Sequence, residues 1–458
     1  MLISAVDKGF HPEKGYYNPN PEIKAWQPIQ LGIIAAYTPK DWDIEIIDEN
    51  YETFRFAEAD LVAISSYTTS VYHAYQIAQE YQDKKIPVVI GGYHATFFPE
   101  EAKKYADVVA VGRAEGLWGN IITDFNNNTL QPFYYCDEKA PVCFKPERSI
   151  FKKYDYQIGT VMSSLGCPFQ CNFCAGPVIQ NYHYFLRDIA DTVNEIKELE
   201  QDYFIFSDDN FIGSTSAHKD RVLALLNKMA EQKINKKWQC ATSINISQYP
   251  DVLKAAHKAG CVLMYIGVES YDNEDLLQYN KQSNKNFIKG NYKKSFKAIH
   301  RNKIAIFGGF LCGTENDTPD DFKRRADTII KSSVDSFTFT FLTPLPKTRI
   351  FSELNEHKKL LYSSFPEDWI YYNCYCATIQ PKHGELAAYH NAYNQSMIKL
   401  YSMRVLAMKF IRAMLHLRSM RTTIHVYTIL KCIHNNTSAS VFLKFISKIF
   451  EIKQSRIN

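Results

Sequence analysis

Gly166-Cys167-Pro168-Phe169-Gln170-Cys171-Asn172-Phe173-Cys174 places three cysteines at C-x3-C-x2-C spacing within eight residues. The stretch begins as an apolar strand candidate, Thr160–Leu165, ends. Three thiolates on one short loop can hold three corners of a cubane iron–sulfur cluster. The loop has no fourth cysteine, which would leave one iron open to a small molecule. Two plainer readings stay open. A tetrahedral zinc site would want a fourth ligand nearby, and His183 is in range. Free cysteine is also often simply buried, though three in one loop fit packing alone poorly.

Downstream, strand candidates recur at Phe204–Ser207, Trp238–Thr242, Leu263–Val268, Ala305–Leu311 and Ser336–Leu342. Helical stretches such as Asp188–Leu199, Arg221–Gln232 and Pro250–Lys258 separate them. Six parallel strands with right-handed crossovers make a partial barrel whose active site lies at the C-terminal mouth. The cysteine loop follows the first strand, Asp208-Asp209 the second and Glu269 the fourth.

Upstream, residues 1–125 alternate short apolar runs (Leu2–Ala5, Ile44–Ile47, Leu61–Ser65, Val88–Ile90, Val108–Val111) with helical stretches such as Val71–Gln82. This predicts an open, doubly wound parallel sheet with ligands beyond the strand ends. Those ends hold Ser65-Ser66, Gly91-Gly92-Tyr93-His94 and Gly112-Arg113-Ala114-Glu115. The expected organisation is an α/β domain over 1–125, a linker over 126–155, the barrel over 156–350, and an irregular, then helical and basic region over 351–458.

The chain has 458 residues, 46% hydrophobic and 22% charged, which excludes a disordered or low-complexity chain. No run of about 18 uncharged apolar residues predicts a spanning helix. The first residues, MLISAVDKGF, do not read as a signal peptide, so a cytoplasmic location is expected. Eleven cysteines, with one tight cluster, suit a reducing compartment better than a disulfide framework. The net charge of +4 is uneven: Asn391–Asn458 holds eleven Lys and Arg against Glu451 alone.

The cysteine loop resembles the radical S-adenosylmethionine (SAM) superfamily. The resemblance implies a [4Fe-4S] cluster on Cys167, Cys171 and Cys174, whose open iron chelates SAM and cleaves it to methionine and a 5′-deoxyadenosyl radical. Phe173 would lie beside the adenine, or else be a packing residue of the loop. Phe204–Phe211, with Asp208 and Asp209, is similar to the second-strand motif, implying a carboxylate for the SAM ammonium; paired Asp can also cap a following segment. Tyr265–Ser270 is similar to the fourth-strand motif and implies that Glu269 accepts ribose hydroxyls, against a structural ion pair. Gly309–Glu315 resembles the fifth-strand motif, with Gly309 and Gly313 on the adenine side.

A doubly wound domain ahead of such a barrel resembles the cobalamin-binding class, in particular the hopanoid- and tetrapyrrole-modifying branch. The resemblance runs from residue 1 to about 380 and includes Trp238–Ile246 and the stretch around Trp369. It implies cobalamin contacts from Ser65, Ser66, Gly91, Gly92, Gly112 and Glu115. A strand-to-loop turn is the plainer account of Gly91-Gly92, and a vestigial domain without cobalamin is an alternative. The D-x-H-x-x-G loop of some cobalamin proteins is absent, so cobalt would take no His ligand. Arg113-Ala114 interrupts the acidic pattern of the family, leaving Glu115 as the matched position.

The implied activity is modification of an unactivated carbon of a small molecule, with cobalamin-dependent methyl transfer favoured over ring formation, rearrangement or oxidation. A flavodoxin or ferredoxin would supply electrons. A non-catalytic cobalamin or cluster carrier is a competing reading, which Asp208 and Glu269 argue against. A tRNA-modifying enzyme is another, and the chain lacks its extra cluster cysteines. Nucleic acid is not expected, since no recognisable module appears. The first sheet's strand ends are expected to face the barrel mouth as a lid over Cys167. Cys374 and Cys376 form a C-x-C that reads as packing, against metal or radical chemistry, because alternate residues of an extended segment would need a bent loop to share a metal. The basic tail, including Val441–Phe450, is a candidate for peripheral contact with an anionic membrane, against a solvated helical cap.

Overall fold

A computed structural model describes residues 1–6, 27–137, 139–281, 283–284, 292–420, 423–424 and 426–427. Val441–Phe450 lies outside them. The chain divides into two units. The first takes residues 1–156, 344–352 and 360–378, and the second takes the rest.

The first unit is built on six parallel strands: β1 (Leu2–Ser4), β2 (Ile46–Asp48), β3 (Val62–Ser65), β4 (Val88–Gly91), β5 (Val108–Val111) and β6 (Phe133–Tyr135). Their order is β2-β1-β3-β4-β5-β6, so the winding reverses between β1 and β3. Ile3, Val62, Ile64, Val88, Ile90 and Val109 pack on one side of the sheet. Leu2, Ala63, Val89, Val108 and Ala110 pack on the other. The period-2 alternation therefore buries both faces, which makes these strands continuous apolar runs. The helix α1 (Val71–Gln82) turns Val71, Ala74, Tyr75, Ala78 and Tyr81 inward at three- and four-residue intervals.

Two boundaries differ from the sequence expectation. Residues 126–155, expected as a linker, supply β6 and stay within the first unit. The aromatic stretch placed in the C-terminal region also belongs to this unit. Phe351, Trp369 and Tyr372 are buried in the core formed on Ile3, Val62 and Val71. Trp369 is 1% exposed and its Nε1 donates to Glu101 Oε2 at 3.1 Å. A return of more than 200 residues in sequence leaves no local trace to read.

The second unit has six further parallel strands: β7 (Gly159–Val161), β8 (Tyr203–Phe206), β9 (Lys237–Thr242), β10 (Cys261–Glu269), β11 (Ala305–Cys312) and β12 (Ser336–Phe341). They lie side by side in chain order, the arrangement that right-handed crossovers produce in a partial barrel. The apolar stretch expected as one strand over Thr160–Leu165 divides: Ser164–Leu165 leaves the sheet and pairs antiparallel with Phe185–Leu186. The crossover helices include α2 (Ile189–Glu198), α3 (Ser216–Glu231), α4 (Pro250–Lys258), α5 (Asn273–Gln278), α6 (Tyr292–Arg301) and α7 (Pro319–Lys331). Along β10, Met264, Ile266 and Val268 are wholly buried, while Tyr265 is 36% exposed. Tyr265 and Gly267 thus share the opposite, open face of the strand.

Two more helices, α8 (Leu386–Leu400) and α9 (Met403–Leu417), close the β12 side. Tyr393 and Tyr401 donate their hydroxyls to the carbonyls of Phe339 and Phe337 on this edge strand. Lys409 is buried and donates to the carbonyls of Ile329, Ser332 and Val334 at 2.9–3.0 Å, capping the end of α7. Asp335, just before β12, accepts from His300 Nε2 at 2.8 Å and contacts His416 Nδ1 at 3.3 Å. The two imidazoles stack with centroids 3.9 Å apart and planes 19° apart. Stacked rings do not aim their in-plane lone pairs at one point, so this trio bridges helices through a carboxylate and is not arranged around an ion.

Candidate active site

The cysteine loop is held from both ends. Asp208, at the end of β8, accepts from Ser163 N at 2.7 Å, Ser163 Oγ at 2.5 Å and Ser164 Oγ at 2.7 Å. Its carboxylate is buried and fully used in latching the chain as it leaves β7. Burial raises its pKa against the downward pull of those donors. Asp209 accepts from Gly166 N at 3.1 Å. A Cβ added at Gly176 would stand 3.4 Å from Asp209 Oδ1 and 3.6 Å from Cys174 Sγ, so this carboxylate lies beside the loop's last thiol. The two adjacent acids therefore divide the work: one latches, and the other faces the cysteines. Gly166 adopts φ +88°, and a Cβ there would stand 2.2 Å from the His183 carbonyl, so the turn demands glycine. On the far side the end of α5 braces the loop. Asn172 N donates to Tyr279 O at 3.0 Å, Asn172 Nδ2 to Gln278 O at 2.9 Å, and Asn280 Nδ2 to Gln170 O at 2.8 Å.

Burial pushes the Cys167 thiol up to about 11 and the Cys174 thiol up to about 12, and neighbouring thiolates act in the same direction. Cys171 is raised as well, again by burial. Three such thiols release their protons only to a cation that binds them. Tetrahedral zinc, with Zn–S near 2.3 Å, would draw its sulfurs to about 3.8 Å of one another. Among the described residues, the group of possible ligands whose atoms all lie within 4.8 Å is His300, Asp335 and His416, and not the three cysteines. Thiols spread wider than that would suit separate irons of a cubane, with one corner left without a protein ligand.

Glu269 and Lys281 stand at the same mouth. The pairing of β10 with β11 shifts register between Gly267 and Glu269, and Glu269 takes φ +62°. This bulge re-aims the side chain. Glu269 Oε1 meets Lys281 Nζ at 2.7 Å. Burial lowers the Lys281 pKa, but Glu269 and then Cys171 outweigh it and raise it overall. A Cβ at Gly267 would stand 2.3 Å from Glu269 Oε1 and 2.8 Å from Lys281 Nζ, so the pair occupies the space that the missing side chain leaves. Phe173 sits edge-to-face on Tyr279 at 5.8 Å, with Lys281 Nζ 5.8 Å from its ring. On β11, Gly309 makes room for the Tyr265 hydroxyl, 2.3 Å from where its Cβ would be. Gly313 (φ +78°) is a turn residue whose N–H donates to Asp317 Oδ2 at 2.7 Å. Lys281 and the asparagine braces escaped sequence reasoning, because single polar residues 12 positions (Lys281–Glu269) or 106–110 positions (the asparagines) from their contacts form no pattern.

In the first unit the strand ends of β3, β4 and β5 converge. Gly92 takes φ +97°, and a Cβ there would stand 2.6 Å from Ser66 O and 3.3 Å from Ser65 Oγ. Thr96 Oγ1 donates to Gly92 O at 2.8 Å and accepts from Gly112 N at 3.0 Å. This binds Ser65, Ser66, Gly91, Gly92 and Gly112 into one rim beside the β1/β3 reversal, where such sheets take ligands. Ser66 Oγ is buried with no hydrogen-bond partner among the described residues. An orphaned hydroxyl in a glycine-lined cradle fits a bound polar group such as the cobalamin tail. Glu115 stands apart: its Oε1 accepts from Cys143 N at 3.1 Å and pairs with Arg113 Nε at 3.2 Å. His94 is fully buried, with Nε2 2.9 Å from Glu101 Oε1 and Nδ1 3.3 Å from Thr68 Oγ1, so the His of the Gly-Gly stretch holds the fold together.

Residues 24–121 match the B12 binding domain family and residues 161–329 match the Radical SAM superfamily. The chain joins a B12-binding domain to a radical SAM domain. It is 29% identical to the bacteriochlorophyllide d C-12(1)-methyltransferase of Chlorobaculum tepidum, over 78% of each chain. It is 24% identical to the hopanoid C-2 methylase of Rhodopseudomonas palustris, over 74% of this chain and 67% of that one. The solved radical SAM methyltransferase TsrM from Kitasatospora setae, with cobalamin and a [4Fe-4S] cluster bound, shares the fold at TM-score 0.58 and 15% identity, covering 86% of this chain and 84% of its own. Among the described residues of the radical SAM and B12-binding domains, no helix is long and apolar enough to cross a membrane.

Proposed function

We propose that this radical SAM enzyme transfers a methyl group, with cobalamin, to an unactivated carbon of a small molecule. The observation that carries the reading is the pairing of two features: three free thiols on one loop that has no fourth cysteine, and a glycine-lined cradle whose buried Ser66 hydroxyl has no hydrogen-bond partner among the described residues. The kinship with curated methyltransferases supports methyl transfer over ring formation or oxidation.

Cys167, Cys171 and Cys174 would hold the [4Fe-4S] cluster. Bound together, the cluster, SAM and cobalamin supply the electron, the hydrogen-abstracting radical and the methyl group. The protein's own contribution is placement and charge. Asp208 fixes where the loop starts and the Asn172 and Asn280 bonds fix where it ends, so the thiols stay at set positions. Asp209 offers a carboxylate oxygen for the SAM ammonium, and Glu269 offers one for ribose hydroxyls. Lys281 places a buried cation beside the thiolates and stabilises their negative charge. The absence of side chains at Gly267 and Gly309 leaves room for the Glu269–Lys281 pair and for the Tyr265 hydroxyl to lie close against the sheet. Ser65, Ser66, Gly91, Gly92 and Gly112 would receive cobalamin. A flavodoxin- or ferredoxin-type protein would deliver the electron, and the basic C-terminal region would meet a membrane surface peripherally.

Anaerobic purification with cobalamin, followed by its absorption spectrum, iron analysis and turnover with methyl-labelled SAM, tests the reading. About four irons and sulfides, one cobalamin and label in a product are expected. SAM cleavage that persists in a Cys171→Ala protein would overturn it.

A further inference from the structure

The helices α8 and α9 carry a surface that the proposed chemistry does not use. Among the described residues, six large aliphatic side chains are exposed, and four of them lie here: Ile398 (71%), Met403 (42%), Ile411 (52%) and Leu415 (67%). On α9, Arg404, Met408, Ile411 and Leu415 follow at four- and three-residue steps and form one stripe, and Arg418 caps the helix just beyond it with φ +52°, so that the run from Arg404 to Arg418 is roughly 21 Å long at 1.5 Å per residue. An arginine stands at each end and apolar side chains between.

The bases of this helix are divided by direction. Lys409 and Arg412 turn inward, donating to the carbonyls that end α7. Arg404 and Arg418 are exposed. The helix has no acidic residue, and residues 391–458 carry a net charge of +10. An exposed apolar stripe flanked by cations, on a part of the chain almost free of acids, is complementary to a surface that is apolar beneath and anionic above.

We propose that this face of α9 docks on an anionic lipid bilayer, with Ile411 and Leu415 entering the acyl boundary and Arg404 and Arg418 meeting lipid phosphates. The docking is peripheral: it rests on the membrane contact proposed above, to which it gives a face and a lipid chemistry, and it is independent of the methyl-transfer reading. Arginine suits phosphate through its planar fork of donors, and attraction to the leaflet falls away within a Debye length. The stripe lies along one helix, so it can rest flat on the interface.

The test is flotation of the full chain with vesicles of phosphatidylcholine alone or mixed with phosphatidylglycerol, at low and high salt. Salt-sensitive binding to the mixed vesicles, about tenfold or more above phosphatidylcholine alone, is expected. The double variant Ile411→Glu/Leu415→Glu should lose that binding while its melting temperature, mass in solution and SAM binding stay unchanged. Arg404→Gln should weaken binding and flatten its salt dependence. Wild-type protein that does not float, or a double variant that floats as wild type does, would overturn the proposal. A lower melting temperature or changed mass in the double variant would also overturn it, showing that residues 419–458 or a second copy cover the face. SAM binding reports separately on the radical SAM domain, so failure here and failure there are distinguishable.

Discussion

The Lys281 ammonium lies 2.7 Å from the Glu269 carboxylate, in the space left by the absent side chain of Gly267. Both side chains are largely buried, at 14% and 9% exposure. Removing one member of such a pair leaves the other charge uncompensated, which costs about 3–5 kcal/mol. Glu269→Gln is expected to lower unfolding stability by roughly that amount and to weaken SAM binding, read by denaturant titration and equilibrium dialysis. Lys281→Met should show a similar stability loss and also shift the potential of the assembled cluster to more negative values, because a cation near the thiolates is gone. An unchanged potential would remove Lys281 from the charge balance of the site.

Asp208 and Asp209 are neighbours with different duties, and substitution should separate them. Asp208→Ala leaves two serine hydroxyls and one N–H without their acceptor. Each buried unsatisfied group costs about 1–3 kcal/mol. This variant should unfold at clearly lower urea and retain less iron per chain. Asp209→Ala loses one bond to Gly166 and should keep most of its stability and its iron, with the larger loss in SAM affinity. Equal iron retention in the two variants would contradict the division.

Ser66→Ala removes a buried hydroxyl that has no partner among the described residues. The apo protein should be as stable as wild type or more stable by about 1 kcal/mol, since an unsatisfied polar group disappears. Cobalamin retained after gel filtration, read by absorbance, should fall. Gly92→Ala should instead destabilise the apo protein by about 1–3 kcal/mol, because φ +97° and the nearby Ser66 carbonyl both oppose a Cβ. A more stable Ser66→Ala protein that holds cobalamin undiminished would remove Ser66 from the cobalamin site.

Glu101 titrates below its ordinary range. Burial alone would raise it, but His94, Trp369 and Tyr75 donate to its carboxylate and outweigh that cost. Its folded pKa is depressed, so the unfolded chain binds more protons across the window and stability rises with pH there. The contribution is present above the unfolded value of about 4.3 and is lost as pH falls through the folded value. The melting temperature should therefore drop as pH falls from about 5 to 3. Glu101→Gln should be less stable at neutral pH and show a shallower acid slope, by up to about 1.4 kcal/mol per pH unit. An identical slope in the two proteins would mean that other carboxylates dominate.

What was legible in the sequence was what is local. The C-x3-C-x2-C loop, the helices Val71–Gln82 and Pro250–Lys258, and the strand runs Leu61–Ser65, Val88–Ile90 and Leu263–Val268 are set by residues within a few positions of one another, through spacing and periodicity. Their placement at strand C-termini follows from the parallel topology that such alternation implies. The tertiary structure decided what depends on distant partners. Two adjacent aspartates look equivalent in sequence, and only the approach of Ser163 and Ser164 makes Asp208 a latch. Phe133–Tyr135 is too short to read as a strand until β5 lies beside it. His94 looks like a loop residue until Glu101 and Trp369 enclose it. Lys281 is one of many lysines until the β10 bulge turns Glu269 toward it. Trp369 belongs to the first unit because a buried indole needs both an apolar wall and an acceptor for its N–H, and in this chain both lie more than 200 residues upstream.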